Sequence, residues 1–293
     1  MASGCVREGT HGRPQKYTVS VMILSSAFSA AAGSMPAALA AVAVLAYAVA
    51  CASGSPTARL PAWALTLGWI LHGAWLALDI ASMGRDLPGV RLGFGPVLSL
   101  AAWLILAVHT VESRFVPLPA VRRMLAVAGA ATLVLAWAFP GELRVVASRW
   151  APLHWVLGVA SYGLFGAAVL HATMLDSAER QMRLRDGNLR GPLGLPLLRL
   201  ERLTFRFVEA GFAVLTLALV LGVATASQWR WDHKTVFSLL GWAVFAALLV
   251  GRHRRGWRGQ RATRWLYVGA LLLLLAYVGS RFVFEVLLSR GAN

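Results

Sequence analysis

Two histidines placed beside tryptophan and charge carry the clearest chemistry in this chain. His233 stands in the run Gln228-Trp229-Arg230-Trp231-Asp232-His233-Lys234-Thr235, and His154 opens an apolar stretch just after Pro152. Neutral imidazole is the usual axial ligand of haem iron, and a flat apolar macrocycle suits aromatic walls such as Trp229 and Trp231. Arg230 and Lys234 are cations of the kind that pair with haem propionates through charge-assisted hydrogen bonds. Asp232 is expected to accept the ring N–H of a nearby histidine and so fix its tautomer. An interfacial aromatic belt would also gather Trp and Arg, but it leaves Asp232 and Lys234 on either side of a histidine unexplained.

The remaining histidines divide by depth. His72 falls halfway along the second apolar segment, about 16 Å from either end at helical rise, and is expected to mark a second, deeper station for the same ligand. His109 and His171 fall near the inner ends of their segments, where a helix–helix hydrogen bond is the competing explanation, as it is for His72. His11 and His253 lie in polar surroundings and read as surface residues. On the last segment Arg281 and Glu285, four apart, share a helix face and can neutralise each other. With only Cys5 and Cys51, and neither CxxC nor CxxCH, any haem held here is non-covalent, of the haem b kind. No nucleophile–base constellation suggests an enzyme.

The elements that must position these residues are apolar helices. Hydrophobic residues make up 58% of the 293 and charged ones only 14%, too little polar surface for a soluble domain of this length. Eight apolar segments, at about 36–53, 61–83, 93–111, 121–139, 152–176, 204–227, 235–251 and 262–288, predict an all-α polytopic membrane protein with about eight transmembrane helices. Residues 1–34 read as a separate tail, non-native or signal-like, before a single transmembrane domain over 35–293. The net charge of +16 reflects arginines clustered between apolar runs, which points to topology control and anionic lipid rather than nucleic acid. Loops after segments 1, 3, 5 and 7 hold 17 Lys or Arg against seven in the others, which assigns the first set to the cytoplasm and both ends of the eight-span unit to the outside. The loop over about 177–203 is expected to lie along the inner surface.

The run Trp231-Asp232-x-Lys234, Trp242, and Arg255-Gly256-Trp257-Arg258-Gly259 resemble the cytochrome c assembly protein family, the haem-handling membrane proteins of the CcsA and CcmC type. Leu153-His154-Trp155 leading to Ala160-Ser161-Tyr162-Gly163 is similar to the family helix that starts with a histidine. The Gly93-to-Trp103 stretch is a further likeness. In size, in the histidine of the Asp-x-Lys position and in Tyr277-to-Ser280, the chain looks most like the YpjD-like, HemX-like branch. The tryptophan-rich segment is here reduced to Trp229 and Trp231, and Arg281 and Glu285 occupy the region of the family's second external histidine. The resemblance implies a haem-binding inner-membrane protein in cytochrome c biogenesis that holds or passes haem at the external face. His154 and His233 would then be the iron ligands, and other assembly or haem-pathway proteins the partners. The rival readings are a secondary transporter of a small solute, and a regulatory or scaffold protein of the haem pathway. The transporter reading lacks the paired, Gly- or Pro-broken central spans that mark many transport sites.

The charge distribution makes the topology testable. Reporter fusions after residues 115 and 190 are expected to report a cytoplasmic location. A periplasmic signal at both positions would invert the arrangement and move His154 and His233 to the inner face.

Overall fold

The computed structural model describes residues 35–52, 59–80, 90–113, 118–144, 149–184, 197–225, 231–279 and 282–283. The N-terminal tail, Trp229, Arg230, Arg281 and Glu285 lie outside them. Eight helices follow in order: α1 (Met35–Ala50), α2 (Arg59–Ile80), α3 (Phe94–Glu112), α4 (Pro119–Ala138), α5 (Ala151–Leu184), α6 (Leu197–Thr225), α7 (His233–Arg255) and α8 (Gly259–Leu274). Among the described residues seven helices are long and apolar enough to cross a membrane, and α1 is a shorter apolar helix. The chain is an all-α polytopic membrane protein. Leu60, Trp63, Leu67 and Ile70 are all exposed on α2, an outward apolar surface that suits lipid and not water.

The helices form two groups joined through α3 and α5. In one group α2, α3 and α4 pack together, with Tyr47 of α1 buried among Leu65, Leu106 and Leu125. In the other, α5 packs along α6 and also against α8, while α8 lies beside α7. Its centre is Phe165 stacked on Phe245, with ring centroids 3.8 Å apart. Close approach depends on absent side chains: a Cβ added at Gly269 would stand 2.8 Å from Phe245, and one at Gly95 only 2.6 Å from the Phe139 carbonyl.

Helix ends differ from those expected in three places. α5 has 34 residues, about 51 Å at 1.5 Å per residue, so it outruns a hydrocarbon core of about 30 Å. The expected inner loop over 177–203 is therefore partly helix, since α5 runs to Leu184 and α6 starts at Leu197. Beyond the bilayer, charges such as Glu179 and Arg180 need not end a helix, because water solvates them. α7 is longer than its apolar run: Asp232 caps its start, and Gly256, in the left-handed region at φ 64°, ends it after Arg255. α8 continues into a π turn, Leu275–Gly279.

A strand pair was not anticipated. β1 (Val90–Leu92) and β2 (Glu142–Arg144) pair antiparallel, with Arg91 opposite Leu143. They join the connections after α2 and α4, and Arg91 reaches Asp79 at 3.6 Å. At the other end Glu201 pairs with Arg252 at 2.9 Å, and the Arg252 guanidinium lies 3.6 Å from the Phe205 ring centroid.

The glycine contacts predict contrasting outcomes. Gly95→Ala sets a methyl against a backbone carbonyl that cannot step aside, and is expected to cost about 1–3 kcal/mol. Gly158→Ala meets nothing within 4 Å and is expected to leave stability within about 0.5 kcal/mol. Thermal midpoints in one detergent compare them directly.

Candidate functional site

The first turn of α5 carries His154 on the face that meets α6. Its Nδ1 lies 2.9 Å from the Ala218 carbonyl oxygen, which can only accept, so Nδ1 holds the proton and donates. In the neutral ring Nε2 then keeps a lone pair. That is the tautomer a metal-binding imidazole needs, fixed by a backbone acceptor. The acceptor is Ala218 and not Asp232, as the sequence alone suggested.

His154 lines a cleft whose wall also includes Trp155, Gly158, Tyr162, Lys234, Ser238 and Tyr277. His154, Gly158 and Tyr162 follow at i, i+4 and i+8 and so share one face of α5, while Lys234 and Ser238 share a face of α7 by the same rule. The Lys234 ammonium lies 5.5 Å from the Tyr277 ring centroid, a cation–π contact that joins the start of α7 to the π turn after α8. π turns occur often at functional sites, and this one supplies an aromatic ring to the cleft. The enclosed space is about 90 Å³, room for roughly three waters at about 30 Å³ each. A tetrapyrrole is several times larger, so this cleft could admit only one edge of such a ring and not enclose it.

The other expected residues sort as follows. Asp232 accepts from the Thr235 N–H at 2.8 Å and is the N-cap of α7. Partial burial works against its carboxylate, but the Thr235 bonds and the nearby Lys234 and His233 hold it below the usual carboxylate range. His233 is the first residue of α7, inside the helix instead of in the loop before it, and it is exposed. It does not line the cleft of His154, although its neighbour Lys234 does. Trp231 is highly exposed, with 73% of its surface accessible.

His72 departs from expectation. It is fully buried, with Nε2 2.7 Å from Ser99 Oγ and Nδ1 3.0 Å from the Tyr47 hydroxyl. Both ring nitrogens are hydrogen-bonded, so here the residue ties α1, α2 and α3 together. His171 is similar: Nδ1 meets the Ala167 carbonyl at 2.8 Å and Nε2 meets Glu112 at 3.1 Å. His109 is not, since its Nε2 is buried with no hydrogen-bond partner among the described residues.

Sequence reasoning missed Gly158, Ser238 and the Ala218 carbonyl, and it marked Tyr277 only as part of a family motif without placing it beside His154. The spacing His154-x3-Gly158-x3-Tyr162 was available as a signal, whereas nothing in the sequence links Ala218 to His154 across 64 residues.

Comparison with known proteins finds a family and several relatives. A model of the family described as "Cytochrome C assembly protein" matches residues 29–288. A CcsA cytochrome c biogenesis protein of Parasynechococcus marenigrum is 27% identical over 216 residues, 62% of this chain and 71% of that protein. Another CcsA, of Gloeobacter violaceus, is 34% identical over 138 residues, 45% of this chain and 39% of its own. An "uncharacterized 28.8 kDa protein in nifR3-like 5'region" of Azospirillum brasilense is 29% identical over 233 residues, 77% of this chain and 85% of that one. No solved structure matches.

The Asp232 cap yields a signed prediction. Asp232→Ala is expected to lower stability by about 1 kcal/mol at neutral pH. A carboxylate held below its ordinary range contributes above its unfolded value and loses that contribution as pH falls through the folded one. The gap between wild type and variant should therefore close in acid, as read from unfolding midpoints across a pH series.

Proposed function

The chain belongs to the cytochrome c assembly protein family, and we propose that it holds haem non-covalently in the groove between α5 and α7, with His154 as an axial ligand. The observation that carries this is the His154 tautomer: the Ala218 bond leaves Nε2 as the nitrogen with a lone pair, beside a cleft that also contains a lysine and three aromatic residues. The family matched and the CcsA names of its relatives support haem as the cargo.

Each residue then has a task. His154 would ligate iron, and His233, at the exposed start of the helix that delivers Lys234, would be the second ligand. Lys234 would neutralise the propionates and Trp231 would shield the ring, tasks that the sequence also assigns to Arg230 and Trp229, which lie outside the described residues. Gly158, with nothing within 4 Å of an added Cβ, leaves the space that the ring edge enters. Asp232 acts through the backbone, by starting α7 where His233 and Lys234 are needed. Bound haem supplies an iron centre for delivery, and the protein binds and orients it without turning over a substrate. By the positive-inside assignment this groove is external to a bacterial inner membrane, within reach of other assembly or haem-pathway proteins.

The test is the absorption spectrum of the detergent-purified protein. We expect a Soret band and bis-imidazole features that are abolished in His154→Ala and weakened in His233→Ala. His72→Ala and His253→Ala should spare them. Gly158→Leu, which keeps both histidines and fills the cleft, should lower haem occupancy severalfold. Wild-type spectra in both His154→Ala and His233→Ala would falsify the axial assignment.

A further inference from the structure

His72 and His171 are both buried with two hydrogen bonds, yet their partners differ in kind. The partners of His72 are the Tyr47 and Ser99 hydroxyls, 3.0 and 2.7 Å away, and a hydroxyl can donate or accept. A neutral imidazole is satisfied there in either tautomer. The partners of His171 are the Ala167 carbonyl, 2.8 Å from Nδ1, and a Glu112 carboxylate oxygen, 3.1 Å from Nε2. A carbonyl only accepts, so Nδ1 holds a proton. An ionised carboxylate also only accepts, so a neutral ring would set the Nε2 lone pair against it. The contact as it stands therefore requires one further proton, on Nε2 or on Oε1.

The surroundings suit a proton that can come and go. The His171 side chain is 3% exposed, whereas that of Glu112, the last residue of α3, is 33% exposed and gives the buried ring its route to water. By the positive-inside assignment that water is cytoplasmic. Phe207 of α6 lies beside the imidazole with ring centroids 5.2 Å apart, close enough to favour a cation. His109 of α3 and Arg199 of α6 share with Glu112 and His171 the lining of a cavity of about 160 Å³. Arg122 of α4 donates to the Ala50 carbonyl. Asp176, farther along α5, is engaged by Thr263 and Tyr267 of α8.

We propose that Glu112 and His171 form a proton-binding pair on the inner side, a joint between α3 and α5 that closes when one proton is bound and loosens when it is lost. Closing is a proton uptake in which no electron moves: a carboxylate, an imidazole protonated on Nδ1 and one proton from the solvent give the bonded pair. Losing that proton leaves lone pairs facing each other across the contact, so α3 and α5 separate there and the small cavity widens. An unfolded chain at neutral pH holds no such proton, because a free imidazole titrates at about 6.5 and a free glutamate at about 4.3. The contribution of the joint is therefore full below about pH 6.5 and is lost as pH rises.

The test uses the full chain purified in detergent and the variant Glu112→Gln. A glutamine amide can donate to Nε2 of a neutral imidazole, so this variant keeps the joint and removes its need for the proton. Thermal midpoints of both proteins are read from about pH 6.5 to about pH 9. The wild type is expected to lose midpoint relative to Glu112→Gln as pH rises, up to the one-proton limit of about tenfold per pH unit in the unfolding constant. A difference that stays constant across that range overturns the proposal, because a merely structural contact would give it. The proton is also read directly at neutral pH, by nitrogen NMR of isotope-labelled histidine and by the infrared band of a protonated carboxyl group. One of two signatures is expected: a ring with both nitrogens protonated that disappears in His171→Gln, or a carboxyl band that disappears in Glu112→Gln. Finding neither also overturns the proposal. Should Glu112→Gln fail to accumulate, the wild-type spectra and His171→Gln decide.

Discussion

Hydrocarbon cannot hydrate a polar group, and most of this structure follows from that. Every N–H, hydroxyl and imidazole within a span must find its partner in the protein, so each one specifies a neighbour. Trp69 and Trp103 show the principle in its simplest form. Each indole N–H donates to the other's backbone carbonyl, at 3.1 and 2.9 Å, while the rings stack with centroids 5.3 Å apart. That reciprocity joins α2 to α3. His72 extends it to α1 through Tyr47. On the other side Trp242 donates to Thr216, and Thr263 and Tyr267 both donate to Asp176. Such bonds average only about 0.6 kcal/mol in membranes. Their main effect is on register: a helix that slid by one residue would leave both partners unsatisfied.

Where this rule is so widely obeyed, the histidines that depart from it stand out from the rest. His72 and His171 are buried and fully hydrogen-bonded, and both read as joints between helices. His154 has one nitrogen held by a backbone carbonyl and the other left with a lone pair at a cleft. His109 has a buried nitrogen with no partner among the described residues. The four share a residue type and a membrane setting, and they differ in what the neighbouring helix supplies. Depth along the sequence therefore does not separate the fully bonded histidines from the others, whereas the partner of the second nitrogen does.

That distinction also marks how far the sequence could be read. Spans α2 to α8, the position of His154 at the start of α5, and family membership all follow from local signals: long apolar runs, Pro and Gly breaks, and short motifs. The role of His72 was not legible, because Tyr47 and Ser99 lie 25 and 27 residues away and meet it only through packing. The Ala218 carbonyl carries no residue signal at all, since any residue presents one. The helical extensions of α5 and α6 were obscured by their arginines, which end a transmembrane run but not a helix. Asp232 was legible as functional and misread in kind: its Thr at i+3 and the apolar run beyond it form an N-cap signature.

The cleft around His154 takes its aromatic lining from two helical elements. Trp155 and Tyr162 come from α5, and Tyr277 comes from the π turn after α8, whose extra residue per turn lets the ring share a wall with α7. Tyr162 is itself pinned by donation to the Leu273 carbonyl, immediately before that turn. The aromatic wall and the π turn thus support each other, so a change at either is transmitted to the other. Lys234 adds a third element through its contact with Tyr277, which ties the start of α7 to that turn.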